Sequence, residues 1–310
     1  MNYAVIDLGS NTIRLSVFRY KDKKIITVIR QKEVAGLAGY IKDKELERDG
    51  IRKACEVLNN FKEIAVHFVD KNEIHVFATA ALRNIDNRDQ AIKIIKETTD
   101  LMPVVLSGKE EAELDFIGAS HYTKCHSGLL IDIGGASTEL VHFEDSRPVD
   151  LASMPIGCLS LYSRFVDKFS PTKKECQKLK KEIVKQLDKL KWDPEQDFPL
   201  MIGIGGTVRG AYKLSRQLFS LPADKNDIDT DLIEKILYEL NNNEDSIYHV
   251  IYKVIPERSL TIFPGLMILN EVIKRFSCEK LFISGFGVRE GYLIQNILNK
   301  GDIINAKETS

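Results

Sequence analysis

Cysteine, histidine and tryptophan are scarce in this 310-residue chain: five, six and one respectively. Cys55, Cys125, Cys158, Cys176 and Cys278 form no CxxC pair, and their number is odd. That argues against a disulfide framework or a zinc site and for a reducing compartment. The histidines show no metal-ligand spacing, and His121 and His126 read as surface or packing residues near a domain junction. No apolar run approaches the roughly 20 residues that a bilayer-spanning helix needs. Asp7, Asn11 and Arg14 interrupt any apolar core near the start, so residues 1–20 lack a signal-peptide layout. Linkers and low-complexity segments are absent too. With a net charge of −1, no global field draws in nucleic acid or membranes, and any polyanion must be held by a local patch. The expectation is a cytoplasmic protein with no nucleic-acid polymer and no membrane as partner.

What is present is the composition of a globular protein, 44% apolar and 29% charged, at a length of about two domains. Its organising stretch is Leu129–Val141. An apolar run delivers Asp132 to the end of a buried strand, Gly134-Gly135-Ala136-Ser137 makes a turn, and a second strand begins at Thr138. Such a turn lets successive backbone N–H groups approach an anion. The flanking carboxylates Asp132 and Glu139 are odd for a pure anion site, and a divalent cation between carboxylate and phosphate resolves the conflict. A plain glycine hairpin with a solvated aspartate is the alternative. The motif occurs twice, however. Tyr3–Leu15 repeats the plan of apolar strand, Asp7, the turn Gly9-Ser10-Asn11, then strand, and Asp132 follows Asp7 by 125 residues. In both copies a further turn and strand follow, so the repeat implies two copies of one domain. Two phosphate hairpins facing each other across a cleft follow from it.

Between the copies, residues 45–66 read as an amphipathic helix, Ile74–Thr79 as a short buried strand and residues 88–97 as a helix. Arg83 lies just past a strand end, where open α/β sheets place ligand groups, and an arginine fork suits phosphate; a surface arginine is the alternative. Ser107-Gly-Lys-Glu-Glu-Ala enters another helix, so its acidic pair serves as helix capping or, in one member, as a general base on water. In the second copy, a helix from Ser170 to about Leu190 buries Cys176, Leu179, Ile183, Leu187 and Leu190. It also carries seven lysines, read either as a solvated face or as a landing strip for a polyanion. Leu200–Ile204 is a strand ending at Gly205 and Gly206, which suit phosphate approach or simply a tight turn. Helices near 230–241 and 264–276, a strand Lys280–Ile283 and a helix Val288–Leu298 complete the reading.

The set Asp7-Leu-Gly-Ser-Asn-Thr, Thr79 through Arg83, Ser107-Gly-Lys-Glu-Glu-Ala, Ile131 through Glu139, Pro155-Ile-Gly-Cys, Gly205-Gly-Thr and Ser284-Gly-Phe-Gly-Val-Arg-Glu-Gly, in this order, resembles the exopolyphosphatase/guanosine pentaphosphate phosphatase (Ppx/GppA) family of the actin-like ATPase superfamily. The resemblance implies an α/β protein of two ribonuclease-H-like domains, residues 1–125 and 126–298, with an interdomain active-site cleft and a tail 299–310 packing back on the first domain. It implies Mg²⁺-dependent hydrolysis of a terminal phosphoanhydride, in polyphosphate or in pppGpp. Glu111 becomes the catalytic base. Gly9, Ser10, Asn11, Arg83, Gly134, Gly135, Ala136 and Ser137, with Gly205 and Gly206, become phosphate ligands. Asp132, Glu139 and Asp7 become the metal-linked carboxylates. Two departures stand out: Ala136 replaces a third glycine, and Val34–Tyr40 lacks the family's usual Leu-Gly-Glu-Gly-Leu pattern. An ATP-dependent kinase or ATPase of the same superfamily and a non-catalytic alarmone-binding protein are the competing classes. A homodimer is the expected assembly.

Overall fold

Strands β1 (Asn2–Leu8), β2 (Thr12–Lys21) and β3 (Lys24–Val34) open the computed structural model, which describes residues 1–299 apart from 122, 124, 194, 195, 223, 224 and 243. They form an antiparallel meander with β2 between β1 and β3, and β1, the middle strand of the full sheet, is buried from Ala4 to Leu8. The β2–β3 turn is Asp22-Lys23, both at positive φ (53° and 60°), the geometry whose twist matches a tight hairpin. A short hairpin of β4 (Ile41–Lys42) and β5 (Glu45–Leu46) leads into helix α1 (Arg48–Ala65). Strand β6 (Ile74–Ala78), helices α2 (Ala80–Arg83) and α3 (Arg88–Thr99), strand β7 (Val104–Val105) and helix α4 (Gly108–Ser120) follow. The sheet order is β3-β2-β1-β6-β7, with β1, β6 and β7 parallel. Alternate residues Ala4, Ile6 and Leu8 of β1 and Ile13, Leu15 and Val17 of β2 share the core with Ile51, Cys55, Leu58 and Phe61 of α1. Period two meets period 3.6 on one apolar face.

The second sheet repeats the plan. Strands β8 (Gly128–Ile133), β9 (Thr138–Glu144) and β10 (Arg147–Met154) form the meander, closed by another two-residue turn at positive φ, Asp145-Ser146. Helices α5 (Cys158–Phe165) and α6 (Lys173–Leu187) precede β11 (Leu200–Ile204) and α7 (Gly205–Phe219). Strand β12 (Asp227–Asp229), helices α8 (Asp231–Asn242), α9 (Glu244–Val254) and α10 (Ile262–Arg275), and strand β13 (Lys280–Ile283) complete it. The order β10-β9-β8-β11-β13 matches the first sheet strand for strand, and β12 adds an antiparallel edge. Both units are ribonuclease-H-like: a three-stranded meander whose first strand also pairs in parallel with later strands reached through helices.

Among the described residues, the compact units are Met1–Leu114 with 288–299, and Asp115–Gly287. The division therefore falls inside α4 rather than near residue 125. The return to the first unit begins at helix α11 (Val288–Tyr292), which continues as a π-helical stretch Leu293–Leu298, rather than at residue 299. The reason is packing: Tyr292 stacks on Phe77 of β6 at 4.9 Å, and Glu290 of α11 accepts a 3.0 Å ion pair from Arg30 of β3. The tail expected to pack back, 299–310, lies outside the described residues beyond Asn299. Sequence patterning missed α2, β12 and α9, all short or following polar stretches.

Candidate active site

The first unit gathers its candidate residues at the C-terminal ends of β1 and β6. Asp7 is buried on β1 and sits opposite Arg14 in the β1–β2 register. The Arg14 guanidinium meets its carboxylate at 3.4 Å. The intervening turn is pinned from behind. Asn11 O accepts the N–H groups of Ala35 (3.0 Å) and Gly36 (2.9 Å), and Ser10 O accepts that of Ala38 (2.8 Å). Because a trans peptide points its C=O and the following N–H in opposite directions, these bonds turn the N–H groups of Asn11 and Thr12 away from the 35–38 segment. Segment Val34–Tyr40 thus clamps the turn, with Gly36 at a left-handed φ of 59° and Leu37 buried beneath it.

Arg83 ends α2, and Glu111 lies in the first turn of α4. Arg83 Nη1 donates to Glu111 Oε2 at 2.7 Å, with side chains only 14% and 12% exposed, and to Leu106 O at 3.4 Å. The neighbouring glutamate does something else. Glu110 Oε2 accepts the Ser107 N–H at 2.7 Å while Ser107 Oγ accepts the Glu110 N–H at 3.2 Å, a reciprocal helix cap. The Ser107 N–H holds the Glu110 carboxyl below its usual value. The two readings of the acidic pair therefore divide between its members: Glu110 caps and Glu111 faces an arginine.

In the second unit, Asp132 and Glu139 are register partners across β8–β9, at the positions that Asp7 and Arg14 hold in the first unit. The duplicated hairpin keeps the aspartate and exchanges arginine for glutamate. Glu139 is buried and accepts Ser153 Oγ–H at 2.8 Å. The turn between them is held by α5: Gly134 O accepts Cys158 N–H (3.0 Å), and Gly135 O accepts Leu159 and Ser160 N–H (both 2.9 Å). By the same trans-peptide geometry, the N–H groups of Gly135 and Ala136 point away from α5. Gly157 makes this approach possible, since a Cβ there would lie 2.5 Å from Gly135 C and 2.6 Å from Ala136 N. Ala136 fits the turn without a third glycine.

Gly205 and Gly206, the first residues of α7, are close-packed where side chains would stand. Gly205 has φ +80°, and the Asp132 carboxylate fills the space its side chain would take. The Arg258 guanidinium lies over Gly206. Arg258 stands 52 residues beyond the glycine it covers, and no local sequence pattern links them. Arg289 lies in the Ser284–Gly291 motif without being singled out there. It is half-buried, donates to Ser16 Oγ at 3.0 Å, and is lowered from the usual arginine value first by desolvation.

A divalent cation suits the second hairpin better than the first. Facing carboxylates from Asp132 and Glu139 repel at cross-strand distance and welcome a cation. Asp7 already has Arg14. Among the described residues, no three His, Cys, Asp or Glu side chains converge as a ligand cluster. Mg²⁺ does not require one, since it keeps several waters and takes one or two carboxylates together with substrate phosphates. No helix among the described residues is long and apolar enough to cross a membrane.

Two pinned, glycine-bearing turns, each flanked by an aspartate, thus sit on duplicated ribonuclease-H-like sheets. The model of the Ppx/GppA phosphatase family matches residues 16–300, and the chain belongs to that family. It is 28% identical over 314 residues to a guanosine-5'-triphosphate,3'-diphosphate pyrophosphatase of Vibrio parahaemolyticus, a match covering 97% of this chain and 61% of that protein. The chain thus spans about three-fifths of that relative's length. Among solved structures, an exopolyphosphatase from Cytophaga hutchinsonii superposes with a TM-score of 0.82 at 22% identity, covering 95% of this chain and 97% of the other. A Ppx/GppA protein of Aquifex aeolicus gives 0.77 at 24% identity, covering 97% and 98%. At these identities the structural matches establish the shared fold.

Proposed function

We propose that this chain is a Mg²⁺-dependent phosphohydrolase that releases the terminal phosphate of inorganic polyphosphate, or converts pppGpp to ppGpp, with polyphosphate preferred. The observation that carries the reading is the division of the acidic pair: Glu110 is consumed by the α4 cap, while Glu111 stands 2.7 Å from the Arg83 guanidinium. A carboxylate beside an arginine suited to phosphate is what hydrolysis of such an anhydride needs. The Vibrio relative's name, a pyrophosphatase of guanosine-5'-triphosphate,3'-diphosphate, and the Cytophaga structure's, an exopolyphosphatase, support both substrates.

In this mechanism Arg83 and the outward N–H groups of the Gly9–Asn11 and Gly134–Ser137 turns bind and orient phosphoryl oxygens. Glu111 orients a water and takes its proton as the water oxygen bonds to the terminal phosphorus and the bridging P–O bond breaks. Asp132 and Glu139 would hold Mg²⁺, with Asp7 a further carboxylate restrained by Arg14; the cation, when bound, neutralises charge on the phosphoryl oxygens. Phosphoryl transfer relies on positioning and electrostatics, so no protein nucleophile is required. A cytoplasmic location and a homodimer complete the proposal.

The test is phosphate release with Mg²⁺ from short polyphosphate, long polyphosphate, pppGpp and ATP, for wild type and Glu111→Gln. Hydrolysis of polyphosphate or pppGpp that falls at least 100-fold in the variant is the expected result, because a positioned general base contributes about 10²–10⁴. A variant with full activity sinks the role of Glu111, and a wild type inert on all four substrates sinks the reading itself.

A further inference from the structure

Helix α6 carries six lysines against two glutamates in a chain whose net charge is −1. Its apolar face is settled: Leu179, Ile183 and Leu187 are buried in the core of the second unit. Its acidic residues are occupied. Glu175 closes the capping box with Thr172, and Glu182 accepts Gln186 Nε2 at 2.8 Å and faces Arg164 at 3.6 Å. Lys180 pairs with Glu271 at 3.5 Å. Beyond the first residue of the helix, Lys174, Lys178, Lys181 and Lys185 remain, all exposed, and none makes an ion pair among the described residues. Their spacing of four, three and four residues puts them on one stripe of the helix, about 16 Å long at 1.5 Å per residue. Adjacent members are i,i+4 or i,i+3 like-charge neighbours, an arrangement that destabilises a helix. Other helices of the chain pair such positions instead: Arg52 with Asp49 and Glu56, Lys96 with Asp100, Lys235 with Asp231.

We infer that this lysine stripe is a binding track for the distal part of a polyphosphate chain, an inference that rests on the proposed phosphohydrolase reading. Charge complementarity selects a linear polyanion. The absence of any aromatic residue in Lys173–Leu187 selects an inorganic one, because single-stranded nucleic acids are held by base stacking on aromatics as well as by charge. No apolar side chain of the helix itself is exposed to enter a membrane interface. The track would lengthen the residence of long chains without touching the reacting phosphate.

The test replaces Lys174, Lys178, Lys181 and Lys185 together by Gln, which matches lysine in helix propensity. A control replaces four exposed lysines of the first unit, Lys21, Lys23, Lys24 and Lys44, by Gln. Binding of polyphosphate of about 100 phosphates is titrated with the metal chelated, between 50 and 200 mM salt, alongside tripolyphosphate hydrolysis with Mg²⁺. At about 0.7 of log–log salt slope per neutralised charge, the stripe variant should lose close to three from its slope. Wild-type binding should therefore fall about 50-fold more steeply across that range. Tripolyphosphate turnover should be unchanged, as should every reading on the control. An unchanged slope and affinity in the stripe variant, or an equal loss in the control, overturns the track. So does equal affinity and slope for single-stranded RNA of matched charge. If wild type hydrolyses no substrate, the catalytic reading fails, while the metal-free titration still decides whether the stripe holds polyphosphate.

Discussion

Gly157→Ala tests whether the Gly134–Ser137 turn is positioned by what lies behind it. Gly157 has φ −143° and ψ 175°, extended backbone that alanine adopts freely, so any effect is steric. The new methyl would lie 2.5 Å from Gly135 C and 2.6 Å from both Ala136 N and Gly134 O. Ordinary van der Waals contact begins near 3.4 Å, so the turn or the start of α5 must shift by roughly 0.8–0.9 Å. All three contacts are backbone, so no flexible side chain can absorb the displacement. Overpacking of this kind costs about 1–3 kcal/mol and should lower the melting temperature by a few degrees. The catalytic consequence is larger, since a displacement near 1 Å at a positioning element costs about 100-fold. The assay is phosphate release at saturating and limiting substrate, with Gly285→Ala as control because nothing lies within 4 Å of a Cβ there. The expected result is kcat/KM about 100-fold lower in Gly157→Ala and close to wild type in the control. A variant that melts lower yet keeps wild-type kcat/KM would refute the idea that the turn's backbone contacts the reacting phosphate.

Four further outcomes follow from the geometry. Glu139→Gln should raise the Mg²⁺ concentration needed for half-maximal activity at least tenfold, whereas Arg14→Gln should leave that requirement near wild type; equal shifts in both would place the cation elsewhere. Ser107→Ala removes the side-chain half of the α4 cap and should cost about 1 kcal/mol by urea unfolding. Because the Glu110 pKa is depressed in the folded chain, the cap's charge-dependent contribution is present above the ordinary value of 4.5 and lost as pH falls through the lower folded value. The difference between wild type and Glu110→Gln should then shrink from pH 7 to pH 3, and a growing difference would contradict it. Glu290→Gln weakens the 3.0 Å pair with Arg30 at a side chain that is 1% exposed, and should cost about 1–3 kcal/mol of first-unit stability. Hydrogen exchange in β3 and α11 reads it, and unchanged protection would show that the Arg30–Glu290 pair does not anchor the helix.

Local chemistry made much of this protein legible in its sequence. Strand, aspartate and small-residue turn recur at a spacing of 125 residues, and that recurrence forecast two sheets with the same strand order. Period-two and period-3.6 patterns placed β1, β2 and α1 with their buried faces, because burial imposes those periods on contiguous residues. Ser107 and Glu110, three residues apart, already spelled a cap. Tertiary structure alone decided which glutamate of the pair meets Arg83, since the partner lies 28 residues away and only the packed ends of β6 and α4 bring them together. It also decided that Asp132 and Arg258 fill the spaces beside Gly205 and Gly206. A glycine in the sequence records that room is needed; it does not record what will occupy it. Likewise the return of α11 to the first unit rests on Arg30, Ser16 and Phe77, more than 200 residues upstream. Such contacts leave no periodic trace, because the residues that make them are neighbours only after the chain has folded.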